Sequence, residues 1–137
     1  MKKHYPRYFI GLDLNKKDKL ALEHWRHKYL VGLPGKPTPV ENFHITLSFL
    51  GAIEPDKHEL LDSLLQSLSG SAFSCQTTTL GTFSKAKVLY LGVELTPQLQ
   101  TLAEQCRALN KQLNVPQHHS QFRPHITLLR KHQVMIP

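Results

Sequence analysis

The chain has 137 residues, of which 40% are hydrophobic and 20% charged, as is typical of a soluble globular domain. Lys and Arg outnumber Asp and Glu by 17 to 10, and this positive excess favours a polyanionic partner such as nucleic acid. Two cysteines exclude a disulfide framework or a cysteine-rich zinc site, and no apolar run is long enough to span a membrane. The N-terminal apolar run ends at Asp13 and is unlike a signal peptide, so we expect a cytoplasmic protein.

The first segment predicts a strand followed by a helix. In the stretch 7–14, RYFIGLDL, apolar side chains alternate on one face, which is typical of a strand. Asn15 offers an N-cap and Asp18 an acidic residue for the first turn, so we expect a helix over about 16–30. The residues expected on its apolar stripe are Leu22, Trp25 and Tyr29.

A loop, a second strand and a second helix follow. Residues 31–41 contain three prolines and two glycines, which predict a loop. The stretch 43–50, FHITLSFL, predicts a strand. Pro55 can open a helix and Gly70 can close it. Leucines at helical spacing form the apolar stripe of this helix: Leu61, Leu64, Leu65 and Leu68.

The second half of the chain predicts two strands, a helix and a last strand. Threonines favour β-structure in 73–83, and the stretch 87–95, KVLYLGVEL, has a clear strand pattern. Thr96 and Pro97 mark the start of a helix, and the last strand covers 124–130. The apolar stripe of the helix places a cysteine in the expected core: Leu99, Leu102, Cys106, Leu109 and Leu113.

The tetrapeptide His-Ile-Thr-Leu occurs twice, at 44–47 and 125–128, with an offset of 125 − 44 = 81 residues. The same offset aligns IGLDLN with LGVELT, and it aligns the first predicted helix with the helix that begins at Pro97. We therefore interpret the repeat as a β-α-β unit used twice, at about 7–56 and 88–137. Counterparts of the helix and strand at 55–83 would begin near residue 136, so we expect the second copy to lack them or the sequence to be truncated.

Each motif places a histidine and a threonine on one face of a strand, because residues two apart point the same way. His44 and Thr46 share one face, and His125 and Thr127 share the equivalent face, while the aliphatic residues between them point into the core. Two lobes related by a pseudo-two-fold axis would bring these faces together across a cleft.

Two imidazoles at one cleft suit acid–base chemistry near neutral pH, and two threonine hydroxyls can hydrogen-bond phosphate oxygens. Arg123 and Arg130 flank the second motif and Lys131 follows it, and a guanidinium suits a phosphate in bidentate fashion. These residues predict a phosphodiester substrate that is attacked in line, without a covalent intermediate or a metal.

Two other interpretations stay open from the residues alone. A zinc site could use His44 and His125 together with His118 and His119, although adjacent histidines cannot easily ligate one ion and no carboxylate lies at ligand spacing. Either motif histidine could instead have a purely structural role. Three phenylalanines near the motifs could stack on a base, although buried packing is the simpler expectation for each: Phe43, Phe49 and Phe122.

The paired HITL motifs, together with RYFIGLDL, ENFHITLSFLG, LGTFSKAKVLYLGVEL and FRPHITLLRK, resemble the 2H phosphoesterase superfamily. Within it, the chain is most similar to the bacterial RNA 2′,3′-cyclic phosphodiesterases, also called 2′-5′ RNA ligases. The resemblance covers nearly the whole chain. It implies one α+β domain of two pseudo-symmetric lobes, each an antiparallel sheet flanked by helices, with the active site in the cleft between them. Chains of the family usually continue past the second motif.

The resemblance also implies an activity and the residues that perform it. The expected reaction is hydrolysis of an RNA 2′,3′-cyclic phosphate to a 2′-phosphate, with reversible 2′-5′ ligation of some tRNA halves. His44 is the expected general acid and His125 the general base, and no cofactor, metal or protein partner is implied. Thr46 and Thr127 would hold phosphate oxygens, and Arg130 would add positive charge. Strict strand alternation places Arg130 opposite His125, so its role requires the strand to end or twist there. A small cyclic nucleotide substrate and a non-catalytic module that binds RNA ends are the alternatives.

Overall fold

A computed structural model describes residues 5–68, 73–115 and 122–131. It confirms an α+β fold in which the second strand pairs antiparallel with the sixth, as do the third and the fifth, and the fourth pairs antiparallel with the fifth. The strands are β1 Arg7–Asp13, β2 Lys36–Pro37, β3 His44–Ala52, β4 Thr77–Phe83, β5 Val88–Val93 and β6 His125–Arg130. The helices are α1 Lys16–Tyr29, α2 His58–Gln66 and α3 Pro97–Gln112. Each predicted element is present, and β2 lies inside the segment that was expected to be a loop.

The predicted caps begin two of the helices. The side chain of Asn15 accepts a hydrogen bond from the backbone N–H of Asp18 at 2.8 Å at the start of α1. The hydroxyl of Thr96 accepts one from the N–H of Leu99 at 3.2 Å at the start of α3. Each cap satisfies a backbone donor that the first helical turn leaves without a partner. Gly70, the predicted end of α2, lies outside the described residues.

The apolar stripe predicted for α1 is wrong at Tyr29, whereas Leu22 and Trp25 are half-buried and the stripe of α3 is confirmed. Tyr29 is 61% exposed, and the residue that α1 buries is Arg26, which is 7% exposed. Arg26 lies four residues after Leu22 and four before the buried Leu30, so it occupies the inward-facing position at helical spacing. The buried residues of α3 include three of the predicted stripe: Leu99, Cys106 and Leu109.

The described residues form two compact units, and each unit combines segments of both sequence repeats. The first unit contains the described residues of 1–11, 46–75 and 95–123, and the second those of 12–45, 76–94 and 124–137. Helix α3 of the second repeat therefore belongs to the unit that holds most of β1 and β3. Helix α1 of the first repeat belongs to the unit that holds β5 and β6. The predicted cleft between two lobes stays a prediction.

The first unit packs α2 and α3 on β1 and β3. Its core cluster consists of buried aliphatic side chains from these elements and their ends: Leu50, Ile53, Leu61, Leu109 and Leu113. Asn110 of α3, which is 3% exposed, donates a hydrogen bond from its amide nitrogen to the hydroxyl of Ser48 on β3 at 2.6 Å. This polar contact fixes the register of the helix on the strand, which apolar packing alone leaves loose.

The second unit is built around β6. Strand β5 pairs along the length of β6 and is itself paired with β4. Strand β3 pairs through Ile45 opposite Ile126, and strand β2 pairs with Leu129 and Arg130 near the end of β6. The second histidine motif therefore lies on a strand with hydrogen-bonded neighbours.

In the described ranges, no helix is both long and apolar enough to cross a bilayer.

We predict that the two thiols differ strongly in reactivity. Cys75 is exposed, whereas Cys106 is fully buried and burial raises the pKa of its thiol to about 11. A raised pKa lowers the thiolate fraction at pH 8, to roughly a thousandth, and the thiolate is the reactive form. In the native Cys75→Ser variant, modification of Cys106 by a disulfide reagent should therefore be at least about 100-fold slower than after unfolding in urea.

The native Cys106→Ser variant is the matched control, and its Cys75 should react at nearly the rate measured in urea. Equal native rates for the two variants would contradict the packing described for α3.

Candidate active site

The two histidine motifs lie on neighbouring strands, and the isoleucine of one motif pairs with the isoleucine of the other. Ile45 on β3 pairs with Ile126 on β6 in antiparallel register. A local two-fold axis thus passes between the two isoleucines, and His44 lies opposite Thr127. His125 is then the diagonal neighbour of His44, at a spacing of roughly 7–8 Å for such pairs. The pairing of β3 with β6 places these two histidines on neighbouring strands.

The predicted division of each motif into two faces is confirmed by burial. Ile45 and Ile126 are 3% and 4% exposed, and Leu128 is completely buried. His44 and His125 are half-buried, as are the two motif threonines. The core thus holds each strand by its aliphatic side chains, and the imidazoles and hydroxyls remain on the accessible face.

Four of the five predicted site residues belong to the second unit, and Thr46 belongs to the first. Thr46 follows His44 by two residues on β3 and points to the same side of that strand. Within the second unit, the register places His44, His125 and Thr127 beside one another.

A β-bulge in β6 returns Arg130 to the histidine face. Tyr90 of β5 pairs with Thr127 and Leu89 pairs with Leu129, so Leu128 is an extra residue in β6. Leu128 and Leu129 are consequently both buried, and the alternation of sides is reset beyond them. Arg130 is exposed and pairs with Val88, which lies on the same side of β5 as Tyr90. The sequence analysis required β6 to end or twist near Arg130 if this residue is to reach the face of His125. The bulge provides that irregularity.

The ring of His44 is oriented by the backbone just before its strand. Its Nδ1 lies 2.6 Å from the carbonyl oxygen of Asn42, which can only accept a hydrogen bond. The Nδ1 atom must therefore carry the proton, and Nε2 is the nitrogen that can exchange a proton with a substrate. A short helical turn over Val40–Asn42 positions this carbonyl.

An ion pair lies at the end of β1 near His44. Lys19 of α1 contacts the carboxylate of Asp13 at 2.7 Å and donates to the carbonyl of Glu41 at 3.0 Å. The hydrogen bond from Lys19 is the main reason that the pKa of Asp13 lies below its usual value, and the charge of His44 also lowers it. Asp13 is thus within electrostatic reach of the His44 ring, and Lys19 ties that carboxylate to the turn before β3.

The ring of His125 packs against two aromatic side chains. Its centroid lies 5.0 Å from that of Phe83, edge to face, and 5.2 Å from that of Tyr90. Phe83 and Tyr90 stack on each other at 4.4 Å. Tyr90 lies across Gly81, where a Cβ atom would come within 2.5 Å of the tyrosine ring. Glycine at this position therefore allows the aromatic pair that supports the second histidine.

Several residues around the site were missed by the sequence analysis. Phe83 and Tyr90 lie in a segment that carried the family resemblance, but no role was assigned to them. Lys36 of β2 lies directly opposite Arg130 and so points to the same face. In the sequence, Phe83 follows Gly81 by two residues, and Lys36 lies in a proline-rich segment. Neither pattern indicates which residues lie next to these side chains in the fold.

The other candidate residues divide between buried, exposed and undescribed positions. Phe43 is fully buried, as expected for packing, whereas Phe49 is 49% exposed and its ring lies 6.5 Å from that of Phe9. Phe122 is half-buried. The zinc alternative depends on His118 and His119, which lie outside the described residues. Within the described ranges, no group of three or more His, Cys, Asp or Glu side chains could hold a metal ion.

Known proteins show both sequence and structural similarity to this chain. A profile of the 2′-5′ RNA ligase superfamily matches residues 17–133. The RNA 2′,3′-cyclic phosphodiesterase of Escherichia coli (strain K12) is 30% identical over 125 residues, which are 90% of this chain and 71% of that protein. The protein of the same name from Thermotoga maritima is 32% identical over 135 residues, and the match covers 90% of this chain and 69% of that protein.

The structural comparison agrees with the sequence matches. The crystal structure of Escherichia coli LigT complexed with 3′-AMP superimposes with a TM-score of 0.82 at 32% identity. The match covers 96% of this chain and 77% of LigT. With most of its length matched and both motifs on paired strands, the chain belongs to the 2′-5′ RNA ligase superfamily of 2H phosphoesterases.

Proposed function

We propose that this chain hydrolyses the 2′,3′-cyclic phosphate at an RNA end to a 2′-phosphate, with His44 and His125 as an acid–base pair. The observation that carries the proposal is the register of Ile45 opposite Ile126, which sets two half-buried imidazoles on one face of adjacent strands. The similarity to proteins named RNA 2′,3′-cyclic phosphodiesterase supports the choice of substrate.

In the proposed mechanism, His125 removes a proton from water as the oxygen attacks phosphorus in line with the 3′ oxygen. The bond from phosphorus to the 3′ oxygen breaks, and Nε2 of His44 donates a proton to that oxygen. The products are a 2′-phosphate and a free 3′-hydroxyl. The hydrogen bond from Nδ1 of His44 to the carbonyl of Asn42 supports this assignment. It fixes the orientation of the ring and leaves Nε2 to donate the proton to the leaving oxygen.

The phosphate is held by hydroxyls and positive charge. Thr46 and Thr127 donate hydrogen bonds to the non-bridging oxygens, whose negative charge grows in the transition state. Arg130 adds a guanidinium on the same face because of the bulge in β6. Ligation follows from the same groups: an RNA 5′-hydroxyl replaces water, attacks phosphorus and forms a 2′-5′ bond as the 3′ oxygen leaves.

The pairing of Lys36 with Arg130 supports an RNA chain as the partner. Two like charges directly opposite each other destabilise a sheet, and a shared anion offsets that repulsion. The phosphodiester backbone of an RNA end supplies such an anion. The proposed partners are RNA ends that carry a cyclic phosphate, including those of some tRNA halves.

The direct test of the function is a product assay. An oligonucleotide that ends in a 2′,3′-cyclic phosphate is incubated with the protein in the presence of EDTA, and the position of the product phosphate is determined. A 2′-phosphate formed at a rate insensitive to EDTA is the expected result. If the protein hydrolyses only small cyclic nucleotides, the proposed RNA substrate is wrong. If it binds RNA ends without hydrolysing them, the chain is a binding module and not an enzyme.

Replacing either histidine with alanine should lower the rate by about 10²- to 10⁴-fold, which is the usual contribution of one acid–base group. The two roles can be separated with an aryl phosphodiester, whose leaving oxygen needs no proton. His44→Ala should recover much of its activity on this substrate because it lacks only the acid, whereas His125→Ala should remain slow. Equal behaviour of the two variants would contradict the assignment of roles, and an undiminished rate in either would contradict the mechanism.

Lys36→Gln should weaken binding of an RNA oligonucleotide by about two- to fivefold, as expected for an exposed charge contact. It should also reduce the slope of log affinity against log salt by about one. The KM for a cyclic mononucleotide should rise by a similar factor, because its single phosphate is the anion that Lys36 and Arg130 share. Lys111→Gln removes the same charge from the exposed last turn of α3 and is the matched control. Equal effects of both variants would indicate a general charge effect rather than a contact.

A further inference from the structure

Arg26 is buried in the second unit and binds the strand that carries the second motif. Its Nη1 donates to the carbonyl of Leu128 at 3.0 Å and to the carbonyl of Thr38 at 2.7 Å. Its Nη2 pairs with the carboxylate of Glu23 one turn earlier on α1. A residue of the first repeat thus reaches 102 positions along the chain to the backbone of the second motif.

The carbonyl that Arg26 binds belongs to the extra residue of the bulge. Leu128 has no counterpart on β5, and the extra residue of a bulge is left out of the ladder. Its carbonyl also accepts the backbone N–H of Thr38 at 2.9 Å. Two donors on the β2 side of β6, the Thr38 N–H and the Arg26 guanidinium, therefore hold the carbonyl of the extra residue in place.

The same guanidinium also contacts the residue before the first motif histidine. Its carbon atom lies 4.7 Å from the centre of the Phe43 ring, which is fully buried directly before His44. A cation over an aromatic face is stabilising, and more so away from water. Arg26 therefore touches one residue beside His44 and one beside Thr127, the two residues that the register places opposite each other.

We propose that Arg26 is a positioning residue, which holds the bulge at Leu128 so that Arg130 points to the face of His125 and Thr127. The proposal rests on the proposed function, in which Arg130 binds the phosphate. Without the bulge, strict alternation along β6 would turn Arg130 to the opposite face. Arg26 thus acts on the substrate only through Arg130.

The energetic cost of burying Arg26 argues for a specific role. A buried cation loses hydration, and apolar replacements of similar volume are often neutral or stabilising. The buried position of α1 could be filled by leucine or methionine if packing were its only purpose. A guanidinium is instead suited to bridge two carbonyls because its donors form a rigid fork, which lysine lacks.

The test is a double-mutant cycle between Arg26→Met and Arg130→Ala on the cyclic-phosphate RNA, at a temperature where every variant is folded. Arg130→Ala should lower kcat/KM by about 10- to 100-fold, as expected for a hydrogen-bonded charge on phosphate. Arg26→Met should cause a similar loss. The double variant should lie within about twofold of Arg130→Ala, because the bulge has no further residue to position.

A purely structural role would give a different result. If the losses from the two variants multiply, or if Arg26→Met keeps full activity, the proposal is wrong. Lys28→Met is the matched control, since it removes an exposed cation from the same helix, and its activity should equal that of the unchanged chain. If Arg26→Met does not fold, Arg26→Lys takes its place in the cycle, with a smaller loss that again vanishes when Arg130 is alanine.

Hydrogen exchange provides a readout that needs no turnover. The Thr38 amide donates to the same Leu128 carbonyl, so it should exchange faster in Arg26→Met than in Lys28→Met. An unchanged rate together with lost activity would overturn the role of Arg26 at the bulge. Absence of cyclic-phosphate hydrolysis by the unchanged chain would instead reject the proposed function and leave the exchange result to decide the contact.

Discussion

The pairing of one isoleucine with its repeat counterpart governs the arrangement of the site. Ile45 and Ile126 are buried and paired, so a shift of one residue in either strand would move a histidine from the accessible face into the core. The apolar face of each strand thereby fixes where the imidazoles lie. The chemistry of the accessible face therefore depends on the packing of the face behind it, and the repeated Ile and Leu matter as much as the repeated His and Thr.

Local pattern was sufficient for the elements and for the faces of the two motifs. Alternation in HITL identified which side chains are accessible, and Asn15 and Thr96 marked the helix starts, because these features depend only on neighbouring residues. The bulge at Leu128 could not be read from sequence, since it arises from register with β5. Arg26 was missed for the same reason, because its partners are carbonyls 12 and 102 positions away.

Each compact unit combines segments from both halves of the chain. Helix α1 packs in the unit of β5 and β6, and α3 packs in the unit of β1 and most of β3, so each repeat supplies its helix to the unit built mainly from the other repeat's strands. The buried polar contacts follow the same exchange, with Arg26 bound to β6 and Asn110 bound to β3.

This exchange has a consequence for the order in which the protein folds. The contact of Arg26 with Leu128 closes a loop of 102 residues, and such distant contacts form slowly because a large loss of chain entropy precedes the gain. Strand β6 comes last among the described elements, so β3 keeps an unpaired edge beside His44 until β6 arrives. An exposed edge can recruit a strand of another chain. The step that assembles the site is therefore also the step that protects the folding chain from aggregation.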